Sequence, residues 1–184
     1  MGLDRSAPYL ERARAAVPGV PLVRADVRAP PLRPGALAAA FSWYASLFMF
    51  DDRENAAALS ALARAVRPGG RVVVQHGNPL RLALHPVESS ARTLGGGARV
   101  EEDSAWDAAR GVDRCARRLT RPDGSRLEAT AELRYYSPAE WAPLAEAAGL
   151  RIVELTSTAG AVDDPRRPPG PEAVDLVAVL EKPT

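Results

Sequence analysis

A single α/β domain with a mostly parallel sheet is what this 184-residue sequence predicts, and three observations carry the prediction. The first half alternates helical periodicity with short apolar runs over brief connections, the pattern of right-handed crossovers in an α/β sheet. Those runs stay apolar instead of alternating, as strands covered on both faces do. A later stretch switches to period-two patterning, which marks an antiparallel ribbon with one wetted face.

The chain opens on "MGLDRSAPYLERARAAVPG". Met1 to Asp4 reads as the end of a buried strand, with almost no strand before it. Ser6 caps a helix that Pro8 enters in its first turn; Leu10, Ala13 and Val17 share one face, and Pro18-Gly19 stops it. "VPLVRADV" is short, β-branched and bounded by prolines, so it predicts a strand ending near Asp26. "PGALAAAFSWYASLFMF" starts at a Pro-Gly turn and is apolar through Phe41, a strand ending near Ser42 to Tyr44. Asp52 is expected to cap the next helix, whose Leu59, Leu62, Ala63 and Val66 form one stripe before Pro68-Gly69-Gly70. "RVVVQHGNP" follows as another buried strand.

The middle alternates: Leu127, Ala129, Ala131, Leu133 and Tyr135 against Glu128, Thr130, Glu132 and Arg134. With Pro122-Asp123-Gly124 between runs, a hairpin is predicted, within an antiparallel flap spanning 92–136. Ser137, Pro138 and Glu140 make a capping box for a helix with Trp141, Leu144 and Ala148 on one face, ended by Gly149. "LRIVELTS" and "AVDLVAVLEKP" are the closing strands. The segment between them, "TAGAVDDPRRPPGPEA", is expected to be a mobile surface loop.

Composition narrows the function classes. Twenty-four basic against twenty-three acidic residues give a net charge of +1, so no field selects nucleic acid or an anionic membrane. One cysteine, Cys115, excludes an intrachain disulfide, and with two histidines no Cys/His zinc cluster or other metal centre is expected. No apolar run approaches the roughly 20 residues of a membrane helix, so a cytoplasmic protein with no membrane partner is expected.

The order of the pieces carries a resemblance. An acid at a strand end ("GLDRS"), a second after the next strand ("RADVRAPPL"), a helix closing on "ARAVRPGGRVVV", a late "YYSPAEWAPLAEAAGL" and a final "DLVAVLEKP" together resemble the class I S-adenosylmethionine-dependent methyltransferases over nearly the whole chain. The resemblance implies a partial Rossmann-like fold with the flap inserted after the family's fifth strand, dividing the chain into a cofactor-side half (1–91), the flap (92–136) and a closing helix and strand pair (137–184). It implies S-adenosylmethionine as cofactor and a small-molecule methyl acceptor. Asp4, with Arg5 beside it, matches the acid that accepts hydrogen bonds from the ribose hydroxyls; its plainer role is to favour the dipole of the helix it precedes. Asp26 matches the acid that takes the adenine amino group, and Val27 the adjacent amide and apolar contact. Ser42 and Trp43, with Tyr44, match the segment bordering cofactor and substrate.

The family's glycine-rich turn is missing: "LGGGAR" at Gly95 to Gly97 falls after the family's fifth strand. The sequence is therefore expected to be a piece that lacks the first strand, most simply because Met1 is an internal residue. The family's fourth strand, "ALAAAFSW", would then be an unpaired apolar edge, open to a second copy or a partner chain.

For chemistry, His76, at the carboxyl end of "VVVQH", is the best-placed proton acceptor, and Tyr44 is the second catalytic candidate, as a residue that with Trp43 could shape the substrate pocket. The plainer account of His76 is a hydrogen-bonded core histidine, and of Tyr44 and Trp43 core packing. His85 is expected at the surface. Two other classes stay open: a non-catalytic methyltransferase-like subunit that pairs through its edge strand, and a nicotinamide-dependent oxidoreductase, whose strand-end acid would bind ribose likewise.

Overall fold

The computed structural model describes residues 1–158 and 168–184. Strand β1 (Gly2–Asp4) leads into helix α1 (Ala7–Ala16), and β2 (Leu22–Arg24) pairs parallel with β1. Strand β3 (Leu37–Ser42), helix α2 (Asp52–Ala65), strand β4 (Val66–Gly77) and helix α3 (Pro79–Leu84) follow. Four antiparallel strands come next, β5 (Ser89–Thr93), β6 (Arg99–Asp107), β7 (Val112–Thr120) and β8 (Arg126–Arg134). Helix α4 (Pro138–Ala147) and strands β9 (Arg151–Thr156) and β10 (Asp175–Glu181) close the chain.

Among the described residues the strands fall into three sheets: β1-β2, β3-β4-β10-β9 and β5-β6-β7-β8. The larger α/β sheet is mixed, which corrects the expected mostly parallel arrangement. Only β3 and β4 pair parallel there, because β10 runs antiparallel to β4 on one side and to β9 on the other. β9 and β10 are consecutive and adjacent, so the chain must reverse between them. β3 pairs with β4 alone and forms the edge of the sheet, with the Phe41 side chain 79% exposed.

The core lies between this sheet and helices α2 and α4. Leu59, Leu62 and Ala63 of α2 meet Val72 and Val74 of β4 and Leu176, Ala178 and Leu180 of β10. Trp141 of α4 is completely buried in the same cluster, beside Phe48 and Tyr136. Each such side chain contributes about 1.5 to 3 kcal/mol over leaving it in water.

Helix ends follow the sequence with one exchange. Ser6 caps α1, its Oγ accepting from Tyr9 N. Asp51, not Asp52, caps α2, its carboxylate accepting from Glu54 N at 2.7 Å. Asp52, one position on, instead accepts from Arg134 Nε and the Tyr136 hydroxyl. At α4 the Glu140 carboxylate accepts from Ser137 N at 2.8 Å, and α3 is capped by Asn78.

The antiparallel sheet has four strands and begins at Ser89, ahead of the expected start at 92. One face carries crossed charges, Glu101, Arg118 and Glu128 side by side and Arg114 between Asp107 and Glu132. Exposed pairs of this kind set register more than stability. The opposite face carries smaller and less charged side chains, among them Ser104, Cys115 and Ala131, ending in Trp106, Asp113 and Leu133 at the base. Most of the proline-rich segment after Thr158 lies outside the described residues.

Candidate active site

Parallel strands bring the predicted acids together at their carboxyl ends. Asp4 lies opposite Arg24, and Ala25 N donates to the Asp4 carbonyl at 3.1 Å, so Asp4 and Asp26 are neighbours across the β1-β2 pair. Asp4 Oδ1 accepts from Ser6 N at 2.7 Å, which fixes the carboxylate at the start of α1. Its other oxygen has no partner among the described residues, leaving an acceptor for a hydroxyl pair. Arg5 is exposed, and its carbonyl accepts from Arg24 Nε at 3.1 Å.

Asp26 is committed elsewhere. Its carboxylate accepts from Arg28 through the backbone amide at 2.9 Å, Nε at 3.0 Å and the terminal guanidinium nitrogen at 2.5 Å. The side-chain and backbone hydrogen bonds from Arg28 hold the Asp26 carboxyl down at about 2, despite some desolvation. Arg28 also pairs with Glu54 and lies over the Phe50 ring, 4.4 Å from its centroid. An adenine amino group at Asp26 must share the carboxylate with this guanidinium. Val27 is half-buried and packs against the main core, tying the β1-β2 pair to α2 and the larger sheet.

Ser42, the last residue of β3, and Trp43 just past it are half-buried, and Tyr44 is 84% exposed. Tyr44 and Ala45 both have left-handed backbone, φ 55° and 56°, unusual for two consecutive residues that are not glycine. Gln75 of β4 holds them: Tyr44 N donates to Gln75 Oε1 at 2.7 Å and Ala45 N to the Gln75 carbonyl at 3.0 Å. Strain of this sort is commonly kept at functional sites, where the surroundings over-determine the backbone.

His76 is completely buried, its ring stacked between Tyr135 and Trp141 with both centroids 5.7 Å away. Trp141 Nε1–H donates to Nε2 at 3.2 Å, so Nδ1 carries the proton and donates to the Gly77 carbonyl at 2.7 Å. Burial pushes the imidazole down to about 4, against a partial lift from that carbonyl. Both nitrogens are occupied and the ring has no solvent-facing surface. In this arrangement the side chain is a packed core histidine, and no substrate proton reaches it. His85 is exposed at the end of α3.

A cleft of about 190 Å³ opens between α3, the β6–β7 turn and the start of α4, with Trp106, Arg110, Tyr135 and Glu140 on its walls. Burial raises the Tyr135 phenol well above its ordinary value, with the Asp113 carboxylate adding to the effect. Asp113 is itself buried; one oxygen accepts from Ser104 Oγ and Cys115 Sγ, and the other has no partner among the described residues. No group of three or more metal-ligating side chains occurs among the described residues, and none of their helices is long and apolar enough to cross a membrane.

Several residues of this region carried no sequence signal that singled them out. Gln75 sits inside an apolar run, Asp175 begins a strand, and Arg134 reads as one more charge on a solvated face. Arg28, two residues from Asp26, was not singled out either.

This arrangement of α/β layers with an added antiparallel sheet is shared with solved S-adenosylmethionine-dependent methyltransferases. Residues 1–70 match the family model described as a methyltransferase domain. The CcbJ methyltransferase from Streptomyces caelestis superposes over 100% of this chain and 74% of its own, at 23% identity and a TM-score of 0.77. CalS10 from Micromonospora echinaspora, an amino pentose methyltransferase solved with S-adenosylmethionine bound, superposes over 97% and 72%, at 19% identity and 0.64. The sugar N-methyltransferase KedS8 from Streptoalloteichus superposes over 100% and 70%, at 17% identity and 0.70. No curated protein matches the sequence. The likeness to these structures is one of fold.

Proposed function

We propose that this protein transfers a methyl group from S-adenosylmethionine to a small molecule, with an amine nitrogen as acceptor. The observation that carries methyl transfer is the methyltransferase-domain match at residues 1–70 on a chain whose whole length superposes on methyltransferases.

The residues present fit the nucleoside half of the cofactor. Asp4 offers one free carboxylate oxygen at the end of a parallel strand, and the hydrogen bonds of a charged acceptor contribute about 1.5 to 3 kcal/mol each. Asp26 would take the adenine amino group while sharing its carboxylate with Arg28, Val27 would give the apolar wall, and Ser42 and Trp43 would border the transfer centre. Arg5, at the lip of β1, adds positive charge there. When bound, the cofactor supplies an electrophilic methyl group on a cationic sulfur.

The amine acceptor is supported by two solved structures described as acting on an amino pentose and on a sugar nitrogen. It also agrees with the site. An amine is nucleophilic in its neutral form and gives its proton to solvent, so no buried base is required, and His76 offers none. Tyr44, exposed on its strained turn, is placed to orient the acceptor, and the cleft beside Tyr135 is the space we assign to the rest of it.

The test is calorimetric titration with S-adenosylmethionine, followed by mass detection of S-adenosylhomocysteine and methylated product from a panel of aminosugars and their hydroxyl counterparts. Binding with turnover of amines only is expected. No cofactor binding refutes the reading, and turnover of hydroxyl counterparts alone refutes the amine.

The exposed edge of β3 favours a second reading, a chain whose sheet is completed by another copy or partner. Light scattering decides it: a stable dimer that binds no cofactor supports that reading over catalysis. A reducing, cytoplasmic setting agrees with the free thiol of Cys115.

A further inference from the structure

We propose that Gln75 and Asp175 are positioning residues for this reaction: a buried hydrogen-bond relay that holds the left-handed Tyr44–Ala45 turn in place at the end of β3 and couples it to the segment after β9. The inference rests on the methyl-transfer reading and adds two residues that do not touch substrate.

The relay can be followed atom by atom. The Gln75 side chain accepts from Tyr44 N through Oε1 at 2.7 Å and donates through Nε2 to Asp175 Oδ2 at 2.8 Å. Asp175 Oδ1 accepts from Ser157 Oγ at 2.6 Å and Thr158 N at 2.8 Å, and Oδ2 also accepts from Thr158 Oγ1 at 2.5 Å. Gln75 is 8% exposed and Asp175 5%, so the path runs through the interior. It crosses from β3 through β4 to β10 and out along the end of β9.

Three features make this more than ordinary satisfaction of buried polar groups. First, the amide side chain is used at both ends, and its orientation is fixed because only its oxygen can accept from Tyr44 N and only its nitrogen can donate to the carboxylate. Second, the backbone it supports is one that Tyr and Ala rarely adopt, so the turn needs an outside hold to persist. Third, the turn carries an exposed tyrosine at the carboxyl end of a parallel strand, where ligands of open α/β sheets sit. Asp175 stays ionised because the donors from Ser157, Thr158 and Gln75 outweigh the cost of its burial, so the acceptor end of the relay is permanent.

The test compares the parent with Gln75→Leu and Asp175→Asn. Hydrogen exchange of the Tyr44 and Ala45 amides, read by mass spectrometry or NMR, is expected to accelerate by at least about tenfold in both variants while β4 amides away from position 75 stay protected. With an acceptor from the aminosugar panel, kcat is expected to fall by about tenfold to hundredfold, the cost of misplacing a reacting group. The Kd for S-adenosylmethionine should change much less than kcat, because the ribose contact proposed at Asp4 lies on a different sheet. Unchanged exchange at Tyr44 and Ala45 in a folded variant overturns the relay, as does an unchanged kcat. If the parent transfers no methyl group, the functional reading fails and exchange alone decides the relay. If Gln75→Leu does not fold, Asp175→Asn, which keeps an acceptor for Thr158 but sets an amide against Gln75, decides it by the same two readouts.

Discussion

Replacing Arg134 with methionine tests how the antiparallel layer is fastened to the core. The side chain is 11% exposed and reaches four partners: Nε donates to Asp52 Oδ1 at 3.0 Å, one terminal nitrogen donates to the Tyr135 carbonyl at 2.7 Å, the other pairs with Glu140, and the guanidinium lies 4.3 Å from the Tyr136 ring centroid. The two carboxylates are 68% and 43% exposed, so they rehydrate when the arginine is lost and their ion pairs account for only about 0.2 to 1 kcal/mol each. The carbonyl contact, a charged hydrogen bond, contributes about 1.5 to 3 kcal/mol and the ring contact about 1 kcal/mol. A loss of about 3 to 6 kcal/mol is therefore expected, or a fall in Tm of about 6 to 24 °C for a chain of this size. Urea unfolding of parent, Arg134→Met and Arg134→Lys measures it, with the lysine variant intermediate because a point charge cannot serve the fork of acceptors. A loss below about 1 kcal/mol in Arg134→Met would refute the account of Arg134 as the fastening, since that is the range of an ordinary surface substitution.

Four further outcomes are expected. Because burial depresses His76 to about 4, the unfolded chain binds a proton there more readily below about pH 6.5, so stability is lost as pH falls from 6.5 toward 4, by about 2 kcal/mol at pH 5; His76→Gln should flatten that slope in pH-dependent urea titrations. Asp4→Ala should weaken S-adenosylmethionine by about tenfold to hundredfold in calorimetry, with a small loss of Tm from the hydrogen bond to Ser6 N, and an unchanged Kd removes Asp4 from the site. Gly70→Ala would bring a methyl within 2.6 Å of the Ala38 carbonyl and 2.5 Å of Val66 Cγ1, so a clear loss of Tm is expected in thermal melts. Phe41→Lys should suppress any concentration-dependent association seen by light scattering, by placing charge on the open edge of β3.

Local signals made much of the fold readable. The Ser6 cap and the capping box at Ser137 each act over a few residues, and each appears in the structure; Val66 and Pro68-Gly69-Gly70, expected to end α2, instead fall inside β4, and the apolar run of β3 leaves Ala38, Ala39 and Phe41 exposed because it is an edge. What the letters did not reveal depends on contacts far apart in the chain. Nothing in "DLVAVLE" says that it lies between β4 and β9, which makes the sheet mixed. The helix at Pro79–Leu84 had a legible cap in Asn78-Pro79, but its six residues are too few for periodicity to register. At the site, Asp4 and Asp26 were visible as strand-end acids, whereas the fate of His76 was set by Trp141, sixty-five positions later. Arg134 alternates in register with solvated residues, and only the approach of α2 and α4 at the end of β8 turns it inward.

The position of β10 bears on how the chain comes to be folded during synthesis. β10 lies between β4 and β9 and among the described residues is the one strand that joins them, and it is the latest of the three to leave the ribosome. Until it emerges, each of the other two presents an open row of amides and carbonyls, and Leu176, Ala178 and Leu180 have not yet sealed the hydrophobic interior. The nascent polypeptide therefore cannot complete this sheet or close its core until β10 has emerged.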